Sequence, residues 1–133
     1  MVLHAIQEQF GFISPEAMEW TAQKLGLQPI NIYELVTFYP MFREQRAGKY
    51  QIKVCRTLSC ALGGSHPLRE HICQKLGLDP AQHGLQTTAD GKFSVEFVEC
   101  LASCGTAPVM MCNEDFYEGV SFAKADEVMS NCK

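Results

Sequence analysis

No stretch of this chain is apolar for long enough to cross a bilayer, and no signal-peptide pattern opens it. Direct membrane insertion and export are therefore not expected. Positive charge is also sparse: 11 Lys and Arg stand against 15 Asp and Glu, for a net charge of −4 with His neutral. The basic residues are scattered rather than striped, and no nucleic-acid motif accompanies them, which excludes a nucleic-acid partner. There is no Cys-x-x-Cys, which argues against thiol–disulfide exchange. No glycine-rich phosphate loop follows a strand, and no Ser/His/Asp set stands out. Glu114 and Asp115 read as turn residues rather than a catalytic pair. Nothing equips the chain to bind a nucleotide or to make a bond by itself.

What the chain does have is cysteine. Seven occur in 133 residues. The count is odd, no export signal is present, and 47% hydrophobic with 20% charged residues is enough for a core. A reduced, cytoplasmic context with metal-bound thiols fits better than a disulfide scaffold. Four of the cysteines form two close pairs. Cys55-Arg-Thr-Leu-Ser-Cys60 leaves four residues between its sulfurs, and Cys100-Leu-Ala-Ser-Cys104 leaves three. Each pair closely follows an alternating apolar stretch, Tyr50–Val54 and Phe93–Val98. Two strand ends that each deliver two thiolates form the layout of a four-thiolate metal site, for zinc or for an iron–sulfur cluster. The wide spacing fits a two-iron cluster somewhat better and leaves both open. Cys73, Cys112 and Cys132 are expected to pack as small apolar residues. His66 and His71 are not needed as ligands, and His4 and His83 read as surface residues.

The first forty or so residues read as a small helical bundle. Val2, Leu3, Ile6 and Phe10 recur at helical spacing up to Gly11; a helix that starts uncapped at Met1 suggests chain before it. Ser14-Pro15-Glu16 starts a second helix with Met18, Ala22 and Leu25 on one face and Gly26 at its end. A third follows Pro29 with Ile32, Leu35 and Val36. The aromatic run Thr37–Phe42 is expected to be a core seam, with a partner-contact surface as the alternative. A polar linker from Arg43 to Lys49 then leads into a different pattern. Strand Tyr50–Val54 is followed by a helix capped by Ser65 and closed by Gly77. A strand over Leu85–Ala89 and an Asp90-Gly91 hairpin come next. A second hairpin turns at Asn113-Glu114-Asp115, and a last helix is capped by Ser121. Gly63, Gly64 and Gly105, beside the paired cysteines, are either turn residues or backbone that approaches cluster sulfurs. The order predicts an α/β fold: an N-terminal helical region over 1–43, then a thioredoxin-like mixed-sheet domain over 44–133.

Further residues complete a resemblance. They include Ser14-Pro15-Glu16-Ala17, Thr37-Phe38-Tyr39, Gly48-Lys49-Tyr50, Val54-Cys55, Cys60, Gly64-Ser65, Thr87-Thr88, Asp90-Gly91, Cys100-Leu101, Cys104 and Ala107-Pro108-Val109-Met110. In this register the whole chain resembles the thioredoxin-like [2Fe-2S] ferredoxin family, of the kind found in bacterial NADH–quinone oxidoreductase, respiratory complex I. The resemblance implies Cys55, Cys60, Cys100 and Cys104 as ligands of a [2Fe-2S] cluster. It also implies a partner flavoprotein subunit that holds FMN, the NADH site and a [4Fe-4S] cluster. It places the chain in the cytoplasmic peripheral arm of a membrane-associated complex. The cluster would exchange single electrons with the flavin, and this chain would have no catalytic site of its own. The same fold serves NAD-linked hydrogenases and formate dehydrogenases. From other classes, a structural four-cysteine zinc module and a free-standing shuttle ferredoxin remain alternatives. The family's members carry more chain before the position of Met1.

Overall fold

The computed structural model describes residues 1–133, which divide into two compact units, Met1–Ala47 and Gly48–Lys133. The first unit is three helices: α1 (Val2–Phe10), α2 (Pro15–Leu25) and α3 (Pro29–Phe38). Local chemistry sets their ends. The Ser14 hydroxyl accepts from the Ala17 N–H, Pro15 fills the first turn, and Gly26 closes α2 in the left-handed region at φ 67°. Leu3, Ile6, Ile13, Met18, Ala22, Ile32 and Val36 are buried together as a small core. The expected faces are only partly right: Phe10, Leu25 and Leu35 are exposed. The aromatic run is not a core seam. Phe38 is 76% exposed and Tyr39 and Met41 are also exposed, while Phe42 packs on the helical core.

The second unit is a five-stranded sheet in the order β2-β3-β1-β4-β5, built from β1 (Tyr50–Cys55), β2 (Gln86–Thr87), β3 (Phe93–Val98), β4 (Met110–Cys112) and β5 (Asp115–Tyr117). β1 lies at the centre, parallel to β3 and antiparallel to β4. Both expected hairpins form: β2 pairs with β3, and β4 with β5. The first strand of the β2–β3 hairpin is shorter than Leu85–Ala89: the ladder covers only Gln86 and Thr87, and Thr88 already turns its N–H to the Phe93 carbonyl at 2.8 Å. Helices α5 (Ser65–Leu76) and α6 (Phe122–Asn131) bury Leu68, Ile72, Cys73, Ala125 and Val128 against Ile52, Val54, Val95 and Met110. Ser121 caps α6 through the Lys124 N–H, and Gly77 ends α5. The cap of α5 differs from expectation: Gly64, at φ 99°, is the capping residue, and Ser65 is the first helical residue, its buried hydroxyl without a partner.

Gly48 seats the start of β1. A Cβ there would lie 2.7 Å from the Phe93 carbonyl carbon, and the Gly48 N–H donates to the Ser94 hydroxyl. At the other end, the register aligns Cys55 with Val98.

Candidate metal centre

Because β1 and β3 run parallel and in register, their carboxyl ends emerge side by side. That edge is where open α/β sheets place their ligands. Cys55 is the last residue of β1, held by its N–H to the Val109 carbonyl at 3.1 Å. The sequence pattern suggests a loop for Cys60. The structure instead places it on a short helix, α4 (Leu58–Leu62), with Leu58 75% and Leu62 81% exposed. Cys55 and Cys60 are both buried, packed with Val109, Leu101 and Ala107. The second pair is exposed: Cys100 lies two residues beyond β3, and Cys104 opens a 3-10 turn over Cys104–Thr106. The site is therefore half core and half loop.

The sulfurs meet within a pair and feel one another's charge across the pairs. Cys100 Sγ and Cys104 Sγ are 3.8 Å apart, and the Cys55 and Cys60 thiols bear on each other's ionisation. The charge of Cys104 is felt at Cys60, and that of Cys55 at Cys104. Burial pushes the Cys60 thiol up, as do the Cys55 thiol and the charges of Cys55 and Cys104. The Cys100 thiol, and then its charge, push Cys104 up. Burial also opposes ionisation of Cys55. There, hydrogen bonds from the Thr57 side chain and from the Leu101 and Thr57 backbone win, and the thiol falls below its usual value. Four thiolates are thus costly together unless bound cations offset them, as the donor set of a metal site requires.

Several supporting groups leave no trace in the sequence. The Thr57 hydroxyl lies 3.2 Å from Cys55 Sγ, and the Ala102 N–H donates to Cys100 Sγ at 3.2 Å. Ala102 holds this turn at φ 60°, unusual for a residue with a Cβ. Glu118 braces the second loop: its carboxylate accepts from the Ser103 hydroxyl and from that of Thr106, the latter at 2.8 Å. The brace spans fifteen residues of sequence, so no local motif reveals it. Gly63 acts through close packing: a Cβ would lie 2.8 Å from the Ala107 Cβ and 3.2 Å from the Ser59 carbonyl oxygen. Gly105 has nothing within 4 Å of such a Cβ.

The other cysteines and histidines lie elsewhere. Cys73 is fully buried on α5, and Cys112 and Cys132 face one another at 3.9 Å. His71 bonds Asp126 at 2.8 Å and stacks on Phe122, while His66 packs its ring on Phe97. His4 and His83 are exposed. No helix is long and apolar enough to cross a membrane.

Comparison with known proteins agrees with this architecture. NADH-quinone oxidoreductase subunit 2 of Thermus thermophilus is 36% identical over 133 residues, covering 99% of this chain and 71% of that protein. The E subunit of NADH-quinone oxidoreductase from Aquifex aeolicus is 36% identical over 130 residues, covering 98% and 79%. The crystal structure of an NAD+-reducing [NiFe]-hydrogenase in the air-oxidised state shares the fold. It superposes with a TM-score of 0.76 at 22% identity, over 98% of this chain and 22% of the hydrogenase chain. The sequence profile described as thioredoxin-like [2Fe-2S] ferredoxin matches residues 1–133. The chain belongs to the thioredoxin-like [2Fe-2S] ferredoxin family, whose cofactor is a [2Fe-2S] cluster.

Proposed function

We propose that this chain is the [2Fe-2S] electron-transfer subunit of the NADH dehydrogenase module of an NADH–quinone oxidoreductase. Its cluster would exchange single electrons with the FMN of a partner flavoprotein, in the cytoplasmic peripheral arm of the complex. The observation that carries the reading is the delivery of two cysteine pairs to one edge of the sheet by the parallel strands β1 and β3. The 36% identity to NADH-quinone oxidoreductase subunits favours that complex over an NAD-linked hydrogenase or formate dehydrogenase.

Cys55 and Cys60 would hold the cluster from the buried side, and Cys100 and Cys104 from the exposed side. A bound [2Fe-2S] cluster supplies one-electron chemistry at low potential under all-cysteine ligation. The chain's own groups tune and seat it. The Thr57 hydroxyl and the N–H groups of Leu101 and Ala102 reach the sulfurs and delocalise their charge. A tetrahedral zinc needs all four thiolates around one point, whereas separate pairs suit two irons.

Protein purified without oxygen is expected to be red-brown, with two irons and two sulfides per chain and an EPR signal only when reduced. A colourless, zinc-loaded protein would overturn the assignment. The exposed apolar side chains of the helical unit, Trp20, Ile30, Phe38 and Met41 among them, suit an obligate subunit contact. Phe38→Glu is therefore expected to stop co-purification with the flavoprotein while leaving the visible spectrum unchanged. Normal co-purification of this variant would move the contact elsewhere.

A further inference from the structure

Apart from the four candidate ligands, two cysteines of the second unit face one another. Cys112, at the end of β4, is 5% exposed and packs among core residues that include Val120, Ala125 and Val128. Cys132 caps the C-terminal end of α6 and is half-buried. Their sulfurs are 3.9 Å apart. A disulfide closes to roughly 2.05 Å, so bonding draws the two sulfurs together by roughly 1.9 Å. The end of α6 is held in this position. Cys132 Sγ donates to the Val128 carbonyl at 3.2 Å, and the Lys133 main-chain oxygen accepts from the Tyr50 hydroxyl at 2.6 Å and the Lys49 ammonium at 2.9 Å. The two cysteines therefore meet through elements distant in sequence, on a strand end and a helix end that are both fixed.

We propose that Cys112 and Cys132 form a modification site: a thiol pair that a low-molecular-weight disulfide converts into an intramolecular disulfide tying α6 to β4, without using the candidate cluster ligands. The more exposed sulfur reacts first. The Cys132 thiolate attacks one sulfur of glutathione disulfide, forms a mixed disulfide and releases one glutathione thiolate. The Cys112 sulfur then attacks the Cys132 sulfur and releases the second glutathione. Two electrons and two protons pass from the cysteine pair to the reagent, which leaves as two glutathione thiols. Burial, then the charge of Cys132, pushes the Cys112 thiol up to about 12, which makes it the slower, second partner. The product closes a loop of 20 sequence steps and constrains the unfolded chain.

The test treats cluster-loaded protein with glutathione disulfide, blocks remaining thiols, and maps peptides without reduction. The expected result is a Cys112–Cys132 linked peptide pair, two fewer blockable thiols, reversal by dithiothreitol and an unchanged visible spectrum. Cys112→Ser is expected to keep glutathione on Cys132, a trapped intermediate that simple packing does not predict. Cys132→Ser, changed at the half-exposed helix end, is expected to show neither link nor adduct at Cys112. A wild-type protein that carries glutathione on Cys132 without the cross-link overturns the proposal. So does one that does not react, or one that links through Cys55, Cys60, Cys100 or Cys104.

Discussion

Replacing Gly63 by alanine tests whether the two cysteine loops are held by close packing. Gly63 follows α4, which carries Cys60, and faces Ala107, which follows the turn that begins at Cys104. Its backbone is ordinary, with φ −77° and ψ −1°, so an alanine there incurs no conformational strain. By itself the change would stabilise by about 0.4–1 kcal/mol, because the unfolded chain loses freedom. Against that stands the contact. The new Cβ would meet the Ala107 Cβ at 2.8 Å and the Ser59 carbonyl oxygen at 3.2 Å, and neither is the loose end of a long side chain. Overpacking of this kind costs about 1–3 kcal/mol. At mid-range the contact wins, leaving a net loss of about 1.3 kcal/mol, or a fall in Tm of roughly 5–10 °C for a unit of this size. The strain falls between the two loops, so the EPR signal of the reduced protein is expected to broaden or shift. Gly105→Ala is the control: it lies next to Cys104, yet its Cβ meets nothing within 4 Å, so only the unfolded-state effect remains, and its Tm is expected to rise slightly with an unchanged signal. Thermal unfolding of both cluster-loaded variants, with EPR on the same samples, decides the matter. If Gly63→Ala matches or exceeds the wild type in Tm with an unaltered signal, the packing argument is wrong.

Cys60→Ser is expected to lose most iron and sulfide and to lower stability, whereas Cys73→Ser keeps the visible spectrum and costs about 1–3 kcal/mol for a buried hydroxyl; loss of cluster in Cys73→Ser would mean that the four assigned ligands are the wrong set. Arg56 adjoins a ligand, but its guanidinium is bound to Glu99 at 2.6 Å, so its charge is already offset. Arg56→Gln is expected to lower the midpoint potential by freeing the Glu99 charge beside Cys100, and adding Glu99→Gln is expected to restore it; a redox titration in which the double variant stays low would refute this coupling. The carboxyl of Asp126 is held below its usual value, first by the hydrogen bond with His71 and then by Lys75. A depressed carboxylate stabilises the fold above its unfolded pKa of roughly 4, and the contribution is lost as pH falls through the folded value. Tm is expected to drop on acidification through that window, with a shallower slope in Asp126→Asn; equal slopes would remove Asp126 from the account.

Local chemistry made much of the fold legible. Ser14, Ser121, Gly26 and Gly77 end helices where their side chains and backbone freedom suggest, and Asp90-Gly91 turns a hairpin. The two cysteine pairs stand out in the sequence because each lies a few residues from the end of an alternating strand, and the structure places them at the ends of β1 and β3. The failures are longer in range or depend on burial. Helix α4 was invisible because its five residues leave Leu58 and Leu62 exposed and so carry no apolar stripe. The outward direction of Leu25, Leu35 and Phe38 cannot be read from periodicity that counts every apolar residue as core. Ser65 has a capping side chain in the right neighbourhood, yet the left-handed Gly64 takes the role. The partnership of Arg56 with Glu99 and the reach of Glu118 to Ser103 and Thr106 depend on tertiary folding alone.

Gly48 gives the candidate site a distant point of alignment. Seven residues at about 3.3 Å each put it roughly 23 Å up the strand from Cys55. With no side chain, it lets the start of β1 lie flush against Phe93, and the ladder carries that seating down to the pairing of Cys55 with Val98. A bulkier residue would lift the strand like a shim under one end of a ruler. A slip of one residue would be graver, since it would turn every β1 side chain to the opposite face and swing Cys55 away from Cys60. The placement of a sulfur is thus governed in part from the far end of the sheet, by a residue that has no chemistry of its own.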